Sequence, residues 1–453
     1  MKIALKSFPV LFSVLFCMAF ISGGCRKINA NRAYILPEEY RPYQLVVWRK
    51  PGASTDAWDA KKAYFKSLYG TAFTVKKCSS CNDDLELWEG PSVQNFISTE
   101  VVSGGTRPRG QPSGEDAASY YSVNFIVRTP FRDQLPQITA LTTQLPNSSN
   151  LPPITVGVFD TGDDPAITND YTTVAVPSCK AGGDYGWNFV ADNNDVSDEQ
   201  AGKHGTVVSK FIVDEVEART RTTGSPVNIL PVKIFDRNGV CDLFDVLCGF
   251  SYAKNAGAKI INASFGFYYY KDAAGAEVPK ILLEYTRKVL TSNNIILVAA
   301  AGNASPYEDS VARYLESDLT GSDLRNLNKH FFYPGGLSKY LGNVICVTTV
   351  NRALGRVSPT QNFSNTIVDI GTSNDISGTY DFIHPFNNTL TATGSSFATP
   401  VFTGKLCSWY NQVVTTFPIN KETIITALKT KGVVFNDTPA LLAFVKNGMY
   451  VQR

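Results

Sequence analysis

The chain has 453 residues, 43% of them hydrophobic and 18% charged, which is enough apolar sequence for one large core or for two domains of unequal size and excludes a fibre or a disordered tail. Forty-two basic side chains stand against forty acidic ones, a net charge of +2 with no long run of either sign. Electrostatic steering to nucleic acid is thereby excluded.

Residues 1–25 read as an export signal: Lys2 and Lys6 precede an apolar run from Pro9 to Ile21, followed by Ser22, Gly23 and Gly24. The run is too short to span a bilayer comfortably. Cys25 after two glycines resembles a bacterial lipoprotein signal, with Ser22 where a Leu-like residue is usual. That resemblance implies membrane attachment through a lipidated Cys25 and a place in the cell envelope; plain secretion is the alternative.

Residues 26–110 read as a small α+β domain, with a strand from Tyr43 to Trp48, a turn at Pro51-Gly52, a helix from Asp56 to Tyr69 and a strand from Leu85 to Trp88. From Ser103 to Pro153 the composition shifts to Gly, Pro, Ser, Thr, Asn and Arg, so 111–149 is expected to be a linker that exposes Arg107 and Arg109 just before it to processing. The core-like run Tyr120–Arg128 interrupts it.

An oxidising compartment permits disulfides. Without Cys17 and Cys25 the cysteines are 78, 81, 179, 241, 248, 346 and 407. Cys346 and Cys407 sit in apolar runs and read as core residues. A continuous helix would hold Cys241 and Cys248 about 10 Å apart, too far to bond, which makes Cys179 a candidate partner for either. Cys78 and Cys81 read as a local disulfide or free thiols, because no second such pair completes a zinc site.

From residue 150 to 453 short β-branched runs alternate with helical stretches: Ile154–Phe159, Ile229–Phe235, Lys259–Ala263, Ile295–Ala301 and Val344–Val350. Nearly continuous apolar strands separated by helices predict an α/β fold with a mostly parallel sheet covered on both faces. Working residues are then expected on loops at the carboxyl ends of the strands.

The first run ends in Asp160-Thr161-Gly162, a carboxylate where a buried strand emerges. Alone it reads equally as a turn cap or as one half of an aspartic protease, but no second Asp-Thr-Gly follows. Gly202-Lys-His204-Gly-Thr206 places one of only three histidines at a helix entry. Thr393-Gly-Ser-Ser396-Phe-Ala-Thr-Pro400 places a hydroxyl at a helix start, where it reads as a cap or as a nucleophile beside unpaired N–H groups.

The order Asp, His, Ser is one of the known arrangements of a single catalytic geometry. With Ile260-Ile-Asn-Ala-Ser264-Phe-Gly266 and Leu297-Val-Ala-Ala-Ala-Gly-Asn303, these blocks resemble the subtilisin-like serine proteases (subtilases, peptidase S8) over about residues 150–445, with Val207 where many members have a second histidine and Ser395 where threonine is usual. The resemblance implies a subtilisin-like three-layer fold, a triad of Asp160, His204 and Ser396, an oxyanion donor at Asn303, and polypeptide substrates. It also implies substrate contacts along Ser264, Phe265 and Gly266, with Ala300, Ala301 and Gly302 leaving room for a bulky apolar side chain before the cut. Phe267 and Tyr268–Tyr270 either extend this groove or are ordinary aromatics.

The 26–110 pattern, opening Leu45-Val-Val-Trp-Arg-Lys-Pro-Gly-Ala-Ser54, resembles the inhibitory propeptide (inhibitor I9 type) of such proteases, the alternative being an independent domain. As a propeptide it would inhibit intramolecularly and be removed by self-cleavage before about residue 150. No cofactor is required by this chemistry. Asp192, Asp195, Asp198 and Glu199 read either as a structural calcium site or as a solvated acidic loop. A catalytically silent, peptide-binding subtilisin fold is the rival of another class. An esterase of the α/β-hydrolase type is excluded by the absence of Gly-x-Ser-x-Gly.

Overall fold

The structure, a computed structural model, describes residues 40–69, 72–78, 81–91, 93, 113–129, 152–164, 179–180, 185–220, 226–270, 277–315, 319–374, 376 and 378–453. The expected export signal, Cys25, Arg107 and Arg109 lie outside the described residues.

The N-terminal domain comprises β1 (Tyr40–Arg49), α1 (Thr55–Tyr69), β2 (Thr74–Lys77), β3 (Leu85–Glu89), β4 (Ser113–Glu115) and β5 (Ser119–Arg128). Its strands form an antiparallel sheet in the order β2-β3-β1-β5-β4. Trp58 and Phe65 of α1 meet Trp88 of β3 at ring-centroid distances of 5.5 and 5.2 Å, which seats the helix on the sheet. The assignment of 111–149 to a linker is corrected at its start. Residues 113–128 are two strands of this sheet, because Val123, Phe125 and Val127 alternate into the core and draw β5 against β1.

The second domain contains β6 (Ile154–Asp160), β7 (Trp187–Asn188), α2 (His204–Thr220), β8 (Val227–Lys233), β9 (Val240–Asp242), α3 (Leu243–Asn255), β10 (Ile260–Ala263), β11 (Phe267–Tyr269), α4 (Lys280–Val289), β12 (Ile296–Ala300) and α5 (Pro306–Leu315). It continues through β13 (Phe331–Tyr333), β14 (Val344–Asn351), β15 (Arg356–Val357), β16 (Ile370–Ser373), β17 (Phe382–His384), β18 (Asn387–Ala392), α6 (Ser395–Val413), α7 (Lys421–Thr430), β19 (Val434–Phe435) and β20 (Tyr450–Gln452). The main sheet runs β19-β20-β16-β14-β12-β10-β6-β8-β7 and is parallel along this order except at β19. All the predicted runs are strands of it.

One face of the sheet packs Val156, Val158 and Ile260 against Phe211 of α2 and Phe402 of α6. The opposite face packs Phe159, Val232 and Leu297 against Leu247 of α3 and Tyr285 of α4, and this core runs on into Val46, Leu87 and Val123 of the N-terminal sheet. Helix, sheet and helix layers thus form as expected, and the small domain shares its core with the large one. Among the described residues no helix is long and apolar enough to cross a membrane.

The cysteines correct the sequence reading. Cys78 bonds Cys248 and Cys81 bonds Cys179, with Cα separations of 5.4 and 4.9 Å, while Cys241, Cys346 and Cys407 are buried free thiols. Cys241 lies on β9 and Cys248 in α3, so the single helix assumed for them does not exist. Nearness in sequence misled at Cys78 and Cys81, whose partners come from the other domain. Replacing Cys81 and Cys179 together by Ser should lower the unfolding free energy by about 2–4 kcal/mol in urea. Unchanged unfolding midpoints would contradict the pairing.

Candidate active site

Asp160 is the last residue of β6 and His204 the first of α2. Asp160 Oδ1 accepts from His204 Nδ1–H at 2.7 Å and from the Thr161 N–H at 2.8 Å, with both side chains wholly buried. A carboxylate only accepts, so the imidazole proton is on Nδ1 and Nε2 presents a lone pair. That Nε2 has no hydrogen-bond partner.

Three side chains hold the start of α2. The His204, Gly205 and Thr206 N–H groups donate to Gln200 Oε1, Thr161 Oγ1 and Asp198 Oδ2 at 3.2, 2.9 and 3.1 Å. These are donors that a helix leaves unpaired, and each is capped here. Residue 205 must be glycine, since a Cβ there would lie 2.2 Å from the Gly162 carbonyl oxygen. Burial pushes the His204 pKa down, but the Asp160 charge and hydrogen bond, with the Asp198 charge, outweigh it and leave it above its ordinary value.

Ser395 and Ser396 open α6. Pro400 lacks an N–H, so the helix gives the Ser396 carbonyl, four residues earlier, no partner. The Ser264 hydroxyl supplies one at 2.8 Å, and the Ser396 hydroxyl in turn donates to the Ser264 carbonyl at 2.8 Å. Asn262 Nδ2 donates to the Ser264 hydroxyl at 2.9 Å, which orients the clamp. The Ser396 hydroxyl is thus directed at Ser264; Phe397, next in the chain, lies 5.4 Å ring to ring from His204.

Asn303 follows β12. Its Oδ1 accepts from the Ser395 N–H and hydroxyl at 2.9 and 3.1 Å. The N–H donor fixes which end of the carboxamide faces α6, and Nδ2 is left buried with no partner. These groups therefore leave one buried acceptor, His204 Nε2, and one buried donor, Asn303 Nδ2, without a partner, while the Ser396 hydroxyl is bonded to Ser264 and not to His204.

A cavity of about 590 Å³ lies beside Asn303, with Gly266 also in its lining. Ser264, Phe265, Ala300 and Ala301 are buried and do not line it. The expected room beside Gly302 is taken by Phe332, whose ring carbons would lie 2.3 and 2.8 Å from a Cβ at Gly266 and at Gly302. Tyr268 and Phe267 do line the cavity, whereas Tyr269 is core. The N-terminal domain reaches this place: β5 pairs antiparallel with β9, the Arg128 N–H faces the Gly266 carbonyl at 3.4 Å, and the Thr129 N–H donates to Gly239 O at 2.9 Å.

The acidic loop does not converge. Asp192 pairs with Lys180 at 2.5 Å, Glu199 with Lys233 at 3.0 Å, Asp195 accepts from the Ser197 N–H at 3.1 Å, and Asp198 turns inward to Thr206. Among the described residues no group of three or more His, Cys, Asp or Glu side chains could hold a metal ion.

A mostly parallel sheet whose strand ends gather these groups is a subtilisin-like fold. Two solved structures share it: fervidolysin from Fervidobacterium pennivorans (TM-score 0.56, 15% identity, 92% of this chain and 61% of that one) and a serine-to-alanine mutant of the epidermin leader peptide processing serine protease of Staphylococcus aureus (TM-score 0.54, 16% identity, 90% and 97%). The subtilase family model matches residues 153–430, and the chain belongs to that peptidase S8 family. It is 30% identical over 186 residues to the cell wall-associated protease of Bacillus subtilis (strain 168), covering 38% of this chain and 19% of that protein. It is 32% identical over 120 residues to the thermophilic serine proteinase of Bacillus sp. (strain AK1), covering 26% of this chain and 27% of that one.

Two outcomes are expected. In an NMR titration of the three histidines, His204 should titrate above 6.5 while burial holds His330 and His384 near about 4, and Asp198→Asn should move the His204 value downward. Ser264→Ala leaves the buried Ser396 carbonyl without its donor and should cost about 1–3 kcal/mol in urea unfolding.

Proposed function

We infer that the protein is an exported serine endopeptidase in which Ser396 attacks the peptide carbonyl. The observation that carries this reading is the wholly buried 2.7 Å Asp160–His204 hydrogen bond, which turns an unpartnered Nε2 lone pair outward from the carboxylate. A serine hydroxyl is a poor nucleophile until a base takes its proton. The Ser396 hydroxyl swings from the Ser264 carbonyl to Nε2, and His204 removes its proton as the C–O bond forms. Asp160 keeps the tautomer and steadies the imidazolium. Asn303 Nδ2 and the Ser396 N–H stabilise the oxyanion. His204 then protonates the leaving amine, and water, deprotonated by the same imidazole, releases the acyl group.

Peptides add as a strand along the Gly266 edge, and backbone hydrogen bonding there makes recognition broadly tolerant of sequence. The N-terminal domain acts as an intramolecular inhibitor, a reading supported by the pairing of Arg128 with Gly266 at the cavity and by Ile126, Arg128 and Thr129 in its lining. Self-cleavage between the N-terminal region and about residue 150 belongs to the same reading. Export is supported by the signal-like start and by two disulfides, bonds that persist in oxidising compartments. A lipidated Cys25 would hold the protein in the envelope.

A fluorophosphonate probe should label the wild-type chain and not Ser396→Ala. The variant should also keep an uncut N-terminal region by mass spectrometry, and Asn303→Ala should lose about 10²- to 10³-fold in kcat, a figure that comes from subtilisin itself. An unlabelled, folded wild-type chain would favour the silent peptide-binding fold instead.

A further inference from the structure

Asn303 can act on a developing oxyanion only if its carboxamide is held in place before the substrate arrives. The turn that carries it is fixed from behind by side chains other than Asp160, His204 and Ser396. Asn362 Nδ2 donates to the Ala301 carbonyl at 2.8 Å, and the Asn362 N–H donates to the Gly302 carbonyl at 2.9 Å. The Tyr268 hydroxyl donates to the Asn303 carbonyl at 2.8 Å. Three successive carbonyls are thus taken. Gly302 has φ +97°, and a Cβ there would lie 2.6 Å from Asn362 Nδ2, so glycine is what lets that amide come so close.

The surroundings of Tyr268 decide where its proton points. Asn362 Nδ2 and Arg325 Nη1 offer protons to the phenolic oxygen at 3.0 and 3.3 Å. The rival acceptor, Asn362 Oδ1, is farther than the Asn303 carbonyl, at 3.1 Å, and already accepts from Arg325 Nη1. Arg325 is itself anchored by an ion pair with Asp309. The Tyr268 ring is fixed by the pairing of β11 with β13 and stacks on His330 at 4.1 Å between centroids. Burial pushes the hydroxyl pKa up to about 12, so the group stays a donor at neutral pH.

We propose that Tyr268 is a positioning residue, acting through Asn303 rather than on the reacting atoms: its hydroxyl holds the Asn303 backbone so that Nδ2 waits where the oxyanion forms. The inference rests on the serine endopeptidase reading, in which Asn303 supplies that donor.

The test is a double-mutant cycle in the full chain, with kcat and KM measured on a fluorogenic peptide amide that the wild type cleaves and rates counted per fluorophosphonate-labelled site. Tyr268→Phe keeps the ring and removes the donor, so kcat should fall about tenfold while KM stays within about twofold. In an Asn303→Ala background the same change should cost less than about twofold, because no donor is left to position. Asn362→Asp sets an accepting carboxylate beside the hydroxyl and draws its proton off the Asn303 carbonyl; it should reproduce both results, and it decides the matter if Tyr268→Phe takes no label. An unchanged kcat, a loss carried by KM, equal losses in the two backgrounds, or no labelling of either variant makes Tyr268 a packing residue and overturns this inference alone. An Asn303→Ala enzyme with wild-type kcat ends the oxyanion role of Asn303, and a wild-type chain that takes no label or cuts no peptide brings down the endopeptidase reading; this inference falls with either.

Discussion

A carboxylate and an imidazole withdrawn from water are tolerable only when each satisfies the other, and the 2.7 Å bond between Asp160 and His204 sets the terms for the architecture around it. β6 must end at Asp160, between β8 and β10 in the sheet, and α2 must begin where the imidazole can reach it. Capping of the first α2 N–H groups by Gln200, Thr161 and Asp198 meets the second demand, and Gly205 allows the close approach to Gly162. The site is therefore built from strand ends and a helix start, the stiffest parts of the fold.

The other half of the site is held by a different device. Proline inside α6 frees a carbonyl, and that carbonyl lets Ser264 fasten the serine-bearing turn to the exit of β10. The same turn fastens Asn303 through Ser395. Short side chains thus join the end of β6 to the start of α2, and the ends of β10 and β12 to the start of α6.

The strands and the starts of α2 at His204 and of α6 at Ser395 were legible because their signals are local: buried strands read as apolar runs, and helix starts read as small polar residues. The resemblance to subtilisins added the pairing of distant blocks. What escaped depended on contacts between segments far apart. β5 was hidden in Gly- and Pro-rich surroundings, although its alternation was visible. The cysteine partners lie across domains, which spacing cannot reveal. Phe332 fills room that Gly302 seemed to leave, and no feature of its own sequence announces that. Asp198 was grouped with its acidic neighbours, yet it alone is buried beneath α2. The one overlooked signal was Pro400, whose missing N–H pointed to Ser396 and to some outside donor.

The bonds Cys78–Cys248 and Cys81–Cys179 each join a residue before segment 130–151 to one after it. Hydrolysis anywhere in that segment would therefore yield two polypeptides but still one molecule. The severed N-terminal piece could not diffuse away, and its β5 end would go on competing for the Gly266 edge at an effective concentration on the order of millimolar. Thiol chemistry, rather than peptide-bond cleavage, would then be the event that separates the parts.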